Sequence, residues 1–188
     1  MTSTKTTCRK QASKIRAGLC AMHDYTAPEA AAKHGMKLLE GLAAGSTIGL
    51  YWPMGDELDP RFLMHSLEKS GFKTALPVVT QKDEPLEFRL WSMGDPLTKG
   101  PYGTSHPAED APIVMPSVLI VPLLSYDTDC YRLGYGGGYY DRTLATYPVL
   151  KAFGFAYAGQ FVDDIPREAH DFPMHGIITE AGMVMASK

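Results

Sequence analysis

The chain has 188 residues, of which 45% are hydrophobic and 21% are charged, and its formal net charge is -3. This composition excludes intrinsic disorder and predicts a single globular domain over residues 1–188. The lack of excess positive charge argues against nucleic acid as a partner. Three widely spaced cysteines indicate a reducing compartment. With no signal-peptide pattern and no apolar run long enough to span a bilayer, we expect a cytoplasmic protein with no membrane partner; the oligomeric state is open, with a monomer favoured.

The first half of the chain alternates between predicted helices and strands. Helix-forming residues and apolar spacing predict helices at residues 5–19, at 28–42 behind an N-cap at Thr26, and at 60–69, which Pro60 opens. Apolar runs predict strands at residues 47–52 and 73–79, and the alternating run 86–91 predicts a hairpin partner. The first helix is basic and sparsely apolar, which is typical of a solvated surface helix.

The second half continues the alternation behind a loop rich in proline and glycine at residues 99–116. A strongly apolar strand at 118–124 and an acidic turn at 126–129 precede a glycine-rich segment, a helix at 139–147 and two further strands, 151–157 and 176–179. Strands that alternate with helices predict an α/β fold with a mostly parallel sheet covered on both faces. Ligands of such sheets lie beyond the carboxyl ends of the strands, so we expect the site in loops 53–59 and 127–138.

The strongest candidate site is the segment RLGYGGGYYDR, residues 132–142. Its glycines allow close approach to a ligand, and a loop that feeds a helix N-terminus directs free N–H groups at phosphate. Arg132 and Arg142 would add charge-assisted hydrogen bonds, and Asp141 would hold Mg2+ beside the phosphates. The alternative is a glycine-rich turn with aromatic packing. The segment is not a Walker A loop, because no Gly-Lys-Ser or Gly-Lys-Thr follows its glycines. It is not a dinucleotide-binding fingerprint either, because it lacks the third glycine at the required offset.

Two weaker candidates lie elsewhere in the chain. Trp52, Met54 and Glu57 follow the first strand and could hold a flat heterocycle, with Glu57 accepting from its N–H donors; the alternative is a polar loop with a helix-capping acid. His170 and Asp171 lie in a loop near the C-terminus, where they are surface residues, a second Mg2+ contact or an anchor for the loop.

Together these segments resemble the 5-formyltetrahydrofolate cyclo-ligase family, also called 5,10-methenyltetrahydrofolate synthetases. The resemblance rests on the basic first helix, the YWP loop with Glu57, the run VPLL at 121–124, the glycine-rich segment and His170-Asp171, all in the family's order. It implies a three-layer α/β/α fold like that of ribose-5-phosphate isomerase and the CoA transferases. It also implies that ATP phosphorylates the formyl oxygen of the folate, that N10 then attacks the activated carbon, and that phosphate leaves. The implied ligands are ATP, Mg2+ and a reduced folate.

The resemblance also implies roles for individual residues. Those expected to bind ATP are Lys5, Arg9, Arg132, Leu133, Gly134, Tyr135, Gly136, Gly137, Gly138, Tyr139 and Tyr140. Those expected to bind the folate substrate are Trp52, Glu57, Tyr135, Gly136, Gly137, Gly138 and Tyr139. Asp141 and Asp171 would bind the metal, and Arg132, Tyr139 and Asp141 would carry catalysis. The chain departs from many relatives at His106, where they have an acid.

Two other functions stay open at this point. A non-catalytic folate-binding or metabolite-sensing module could use the same scaffold, because a fold does not fix a function. Sugar-phosphate isomerisation would suit the fold and a phosphate site, but the sequence offers no evident acid–base pair for it.

Overall fold

The computed structural model describes residues 4–39 and 41–186. Within this part of the chain the α-helices are α1 (Lys5–Met22), α2 (Thr26–Leu39), α3 (Arg61–Lys69) and α4 (Tyr139–Thr146). All four predicted helices are present, although the N-cap prediction for the second was wrong. Thr26 is already helical, and the side chain of Asp24 accepts a hydrogen bond from its N–H at 2.9 Å. None of the helices in the described residues is long and apolar enough to cross a membrane.

Seven strands form one central sheet in the order β11-β10-β9-β6-β1-β2-β3. They are β1 (Thr47–Gly49), β2 (Lys73–Val78), β3 (Glu87–Leu90), β6 (Val118–Pro122), β9 (Lys151–Phe155), β10 (Gly176–Thr179) and β11 (Gly182–Met185). The five inner strands are parallel, and the edge strands β3 and β11 are antiparallel to their neighbours. The α/β fold with a mostly parallel sheet is therefore confirmed, as is the pairing of residues 86–91 with the preceding strand.

Four short strands form two small antiparallel pairs outside the sheet. They are β4 (Leu97–Lys99) with β5 (Ser105–Pro107), and β7 (Ser125–Tyr126) with β8 (Arg132–Leu133). The sequence predicted none of these four strands, whose two or three residues show no period, and it did not predict the edge strand β11. The segment predicted as a loop at 99–116 thus contains half of the β4–β5 hairpin.

The sheet has an apolar cluster on each face, since successive side chains of a strand point to opposite sides. In β6, Val118 and Ile120 pack with buried residues of α2 and α3, whereas Leu119 and Val121 pack on the other face with Leu144 of α4. The helices thus form two outer layers around the sheet. Helix α1 packs against the first cluster through Leu19 and Cys20, and its Ala12 belongs to a third cluster that includes Leu124, beyond the end of β6.

A crevice for ligands is expected where the chain leaves neighbouring parallel strands in opposite directions. Strand β1 lies between β6 and β2, and the chain passes from β1 through α3 to β2 before it returns to β6 on the other side. The loop after β1 and the segment after β6 therefore emerge side by side at the carboxyl edge. These are the two loops that the sequence predicts as the site.

Candidate functional site

The glycine-rich loop connects β8 to α4 and has an exposed tip. Gly136 and Gly138 have φ angles of 98° and 66°, which side chains rarely tolerate, so both turns of the loop require glycine. Residues 135–137 are exposed and α4 begins at Tyr139. The loop therefore presents backbone N–H groups and a helix N-terminus to solvent, as a phosphate site needs.

Helix α1 supplies positive charge to this loop. The Nε of Arg9 donates to the carbonyl of Gly134 at 2.9 Å, and a Cβ at Gly136 would lie 3.0 Å from the guanidinium carbon of Arg9. Lys5, one turn earlier, forms ion pairs with Asp171 at 2.7 Å and Glu168 at 3.1 Å. The structure thus brings Arg9 against the loop and Lys5 beside the C-terminal acids.

Both arginines of the glycine-rich segment form ion pairs or hydrogen bonds with other residues of the protein. Arg132 Nη2 lies 2.9 Å from Asp141 Oδ1, and Arg132 Nη1 donates to the carbonyl of Phe172 at 3.2 Å. Arg142 Nη2 donates to the carbonyl of Gly137 at 2.6 Å, with its guanidinium 4.8 Å from the centre of the Tyr139 ring. Arg132 therefore lies between the loop and the acids, and Arg142 braces the loop at the start of α4.

The donor set at Asp141 and Asp171 fits a Mg2+ ion, which prefers carboxylate oxygens and water. Asp141 Oδ1 also accepts from the N–H of Phe172, the neighbour of Asp171, so the two carboxylates lie in the same region. Their hydrogen bonds to described residues fall on Oδ1 of Asp141 and Oδ2 of Asp171. One oxygen of each carboxylate thus remains for a cation. Possible ligand atoms of Glu168, His170 and Asp171 also lie within 4.8 Å of one another.

The loop after β1 meets the tip of the glycine-rich loop. The hydroxyl of Tyr135 donates to Glu57 Oε1 at 2.7 Å, and the N–H of Met54 donates to Oε2 at 2.8 Å. Glu57 is only 5% exposed, and this burial raises the pKa of its carboxyl group. A ligand N–H would therefore share Oε1 with the Tyr135 hydroxyl or displace it.

Trp52 is half-buried at the start of the same loop. Its ring packs edge-to-face on Trp91 with 5.3 Å between centroids, and the guanidinium of Arg61 lies 5.3 Å from the ring centre. These contacts orient the Trp52 ring within the loop that also carries Glu57, and an oriented aromatic ring suits a flat ligand.

The sequence reading missed Arg16, which is 3% exposed and contacts both loops. Its Nε donates to Asp56 Oδ1 at 3.1 Å, its Nη1 donates to the hydroxyl of Tyr135, and Nη1 lies 3.8 Å from Glu57 Oε1.

The sequence contains a signal that could have identified Arg16. Arg9, Ala12 and Arg16 follow the spacing i, i+3, i+7, which places them on one helix face. The first helix is thus not simply a solvated surface helix.

A second missed residue is Tyr102, at the tip of the β4–β5 hairpin. It is exposed, has a φ of 60°, and its hydroxyl lies 3.4 Å from that of Tyr139. His106 of the same hairpin bonds to Thr98 and to the carbonyl of Pro107, at 3.2 and 2.9 Å, so its described contacts stay within the hairpin.

An exposed glycine-rich loop beside lysine, arginine and carboxylate side chains, at the switch point of an α/β sheet, is the arrangement expected of a nucleotide-using enzyme. The comparison with known protein families identifies a particular family. The chain belongs to the 5-formyltetrahydrofolate cyclo-ligase family, whose model matches residues 1–180.

Curated relatives and solved structures agree with this membership. The chain is 32% identical to the 5-formyltetrahydrofolate cyclo-ligase of Haemophilus influenzae, over 90% of this chain and 94% of the relative. It is 31% identical to that of Escherichia coli K12, over 71% and 77%. The fold is similar to a 5,10-methenyltetrahydrofolate synthetase from Mycoplasma pneumoniae, with a TM-score of 0.74 at 22% identity, covering 95% of this chain and 99% of the other. The Aquifex aeolicus synthetase gives 0.73 at 24%, covering 96% and 93%.

Proposed function

We propose that this chain uses ATP to close 5-formyltetrahydrofolate into 5,10-methenyltetrahydrofolate, with release of ADP and phosphate. The observation that carries the proposal is the exposed glycine-rich loop, which Arg9 braces on one side and Tyr135 ties to the Trp52–Glu57 loop on the other. A loop of this kind links a binding site for phosphate to a binding site for a heterocycle. The family membership names the reaction.

The reaction needs a phosphate site next to the formyl group. An amide-like formyl oxygen is a poor leaving group until ATP phosphorylates it, and N10 of the folate can then attack the carbon. Catalysis of such a step consists mainly of positioning and of neutralising charge on the phosphoryl group. We assign the phosphates to Lys5, Arg9, Arg132 and the N–H groups of residues 134–140. Tyr139, the first residue of α4, borders the reacting phosphoryl group.

The acidic residues of the site would hold Mg2+. Bound there by Asp141 and Asp171, the ion would offset negative charge on the phosphates. Lys5 and Arg132 now neutralise these two carboxylates, at 2.7 and 2.9 Å. When metal and nucleotide arrive together, the carboxylates can turn to the ion while Lys5 and Arg132 turn to phosphate oxygens. We therefore expect ATP and Mg2+ to strengthen each other's binding.

The folate would lie between the two loops. Trp52 offers an oriented aromatic surface, Glu57 accepts from N–H donors, and the tip formed by residues 135–139 closes over the ligand. The likeness to ribose-5-phosphate isomerase and the CoA transferases, the single domain over residues 1–188, the cytoplasmic location and the monomeric state remain our proposals. Size-exclusion chromatography with light scattering would test the last of them.

The decisive experiment follows the absorbance of the methenyl product after 5-formyltetrahydrofolate is mixed with the purified protein. We expect product only when ATP and Mg2+ are both present, with one ADP formed for each methenyl group. Folded protein that forms no product under these conditions would reject the proposal. Folate binding without ATP consumption would instead identify a non-catalytic binding module.

A further inference from the structure

Arg16 is a buried cation whose partners all lie at the site. Taking a guanidinium out of water costs several kcal/mol unless hydrogen bonds and an opposite charge compensate. The side chain of Arg16 is 4% exposed, and the described residues that compensate it are Asp56, Glu57, Tyr135 and the carbonyl of Leu123. Because Arg16 bonds to both loops of the site, its substitution would alter the site as well as the packing around the helix.

The rigid fork of one guanidinium fixes three elements relative to one another. From α1, Nε and Nη2 both donate to Asp56, in the loop after β1, while Nη1 donates to the hydroxyl of Tyr135, in the glycine-rich loop. That hydroxyl in turn donates to Glu57 Oε1 at 2.7 Å. Arg16, Tyr135 and Glu57 therefore form one connected unit, and a shift of Arg16 would move both groups.

We propose that Arg16 is a positioning residue for the folate side of the site, which holds Glu57 and Tyr135 in the arrangement that receives the substrate. This inference rests on the proposed function, and it adds a residue that acts on the site through Glu57 and Tyr135. Arg9, on the same face of α1, contacts the loop at Gly134 and Gly136. One face of helix α1 thus has two roles: Arg9 contacts the proposed phosphate site, and Arg16 supports the residues of the proposed folate site.

The electrostatics of Glu57 supply a signature that packing alone would lack. The titratable and charged groups that influence Glu57, from every element around it, are Arg16, Tyr51, Asp56, Tyr135 and Tyr140. Burial raises the pKa of Glu57, while the Met54 N–H, Tyr135 and Arg16 oppose that rise. Without Arg16 the carboxyl group would keep its proton to a higher pH. A protonated carboxyl group is a weaker hydrogen-bond acceptor. Folate binding by a variant that lacks Arg16 should therefore recover as the pH is raised and Glu57 loses its proton.

The experiment compares Arg16→Met, which keeps an unbranched apolar stem, with Arg16→Lys, which keeps the charge. Arg89→Met is the matched control, because Arg89 is also largely buried and pairs with Glu87 at 2.7 Å, but lies on the edge strand β3. The measurements are the dissociation constant of 5-formyltetrahydrofolate without ATP, the separate KM values for folate and ATP, and their dependence on pH. Wild-type protein is measured first, since failure there would reject the proposed function and not this inference.

For Arg16→Met we expect folate binding to weaken roughly ten- to a hundredfold near neutral pH, as for loss of hydrogen bonds to a charged group. The KM for ATP should change by less than about threefold, and Arg16→Lys should recover part of the loss. The folate defect should shrink as the pH rises from about 6 to about 9. Equal losses for ATP and folate, a loss independent of pH, or a loss of the same size in Arg89→Met would each overturn the proposal.

Asp56→Asn keeps the inference testable if Arg16→Met does not fold. Asp56 is more exposed than Arg16, with a side chain 25% exposed, so the milder substitution should leave the fold intact. It weakens the anchor of Arg16 without removing the cation. We expect the same selective rise in the KM for folate, smaller in size. Unchanged folate kinetics in Asp56→Asn and Arg16→Lys together would refute the positioning role.

Discussion

Replacing Gly136 by alanine perturbs the loop in two ways that the structure separates. At a φ of 98°, an L-residue is strained by about 1–2 kcal/mol. The new Cβ would also lie 3.0 Å from the guanidinium carbon of Arg9 and 3.2 Å from its Nη1, closer than ordinary van der Waals contact. Arg9 would have to move by a few tenths of an ångström and weaken its 2.9 Å bond to Gly134.

Gly94 provides a control with the same strain and no neighbours. Its φ is 104°, it lies in the turn before β4, and a Cβ there would meet no atom within 4 Å. Both alanine variants should therefore lose about 1–2 kcal/mol of folding free energy, or about 2–8 °C in Tm for a chain of this size. Only Gly136→Ala should weaken ATP binding, by roughly ten- to a hundredfold, the value of one hydrogen bond to a charged group.

The assay is isothermal titration with ATP and Mg2+, accompanied by thermal unfolding of each variant. Wild-type affinity in Gly136→Ala, at the expected loss of Tm, would show that nucleotide does not lie against the loop and Arg9. An equal loss of affinity in Gly94→Ala would trace the effect to general destabilisation. Either result would refute the reasoning that places the phosphates here.

Three further perturbations test other parts of the site. Asp141→Asn keeps its shape but loses its charge, so we expect a rate loss of roughly 30- to 1000-fold and a higher Mg2+ requirement; a near-normal rate at all Mg2+ concentrations would exclude Asp141 from the metal site. Although burial opposes it, hydrogen bonds from Lys5 and a backbone N–H lower the pKa of Asp171. An acid with a lowered folded-state pKa stabilises the protein above its unfolded pKa and loses that contribution as the pH falls through the folded value. The Tm of Lys5→Met should thus lie below wild type near neutral pH, with the gap closing below about pH 4; a gap that persists in acid would contradict this pairing. Tyr102→Phe removes one exposed hydrogen bond to Tyr139, so kcat/KM should fall by less than about threefold, and a larger loss would give the hairpin a direct catalytic part.

The glycine-rich segment could be recognised from sequence because its requirements are local. Positive φ angles at Gly136 and Gly138, the following helix and the carboxylate of Asp141 all lie within a few residues of one another. Strand patterns were equally readable where one face differed from the other or where both were apolar, as in β6. The edge strand β11 was not predicted, because four residues with alternating burial are too few to establish a period of two.

The placement of Trp52 and Glu57 beside the glycine-rich loop was a prediction from topology, and the geometry supports it only because β1 and β6 are neighbours. The family resemblance assigned Lys5 and Arg9 to ATP, but the sequence reading gave Arg16 no role. All three are basic residues of one helix, and composition alone makes each a solvated charge.

What the sequence determined by itself is the α/β alternation and the glycine-rich loop with the chemistry available to it, since each depends on residues near one another in the chain. Only the tertiary structure decided that Arg16 is buried, that Arg132 and Lys5 are paired with the acids, and that the two loops share one edge. Burial and pairing depend on which distant segments pack together; the spacing of Arg9, Ala12 and Arg16 indicates a shared helix face but not what that face packs against.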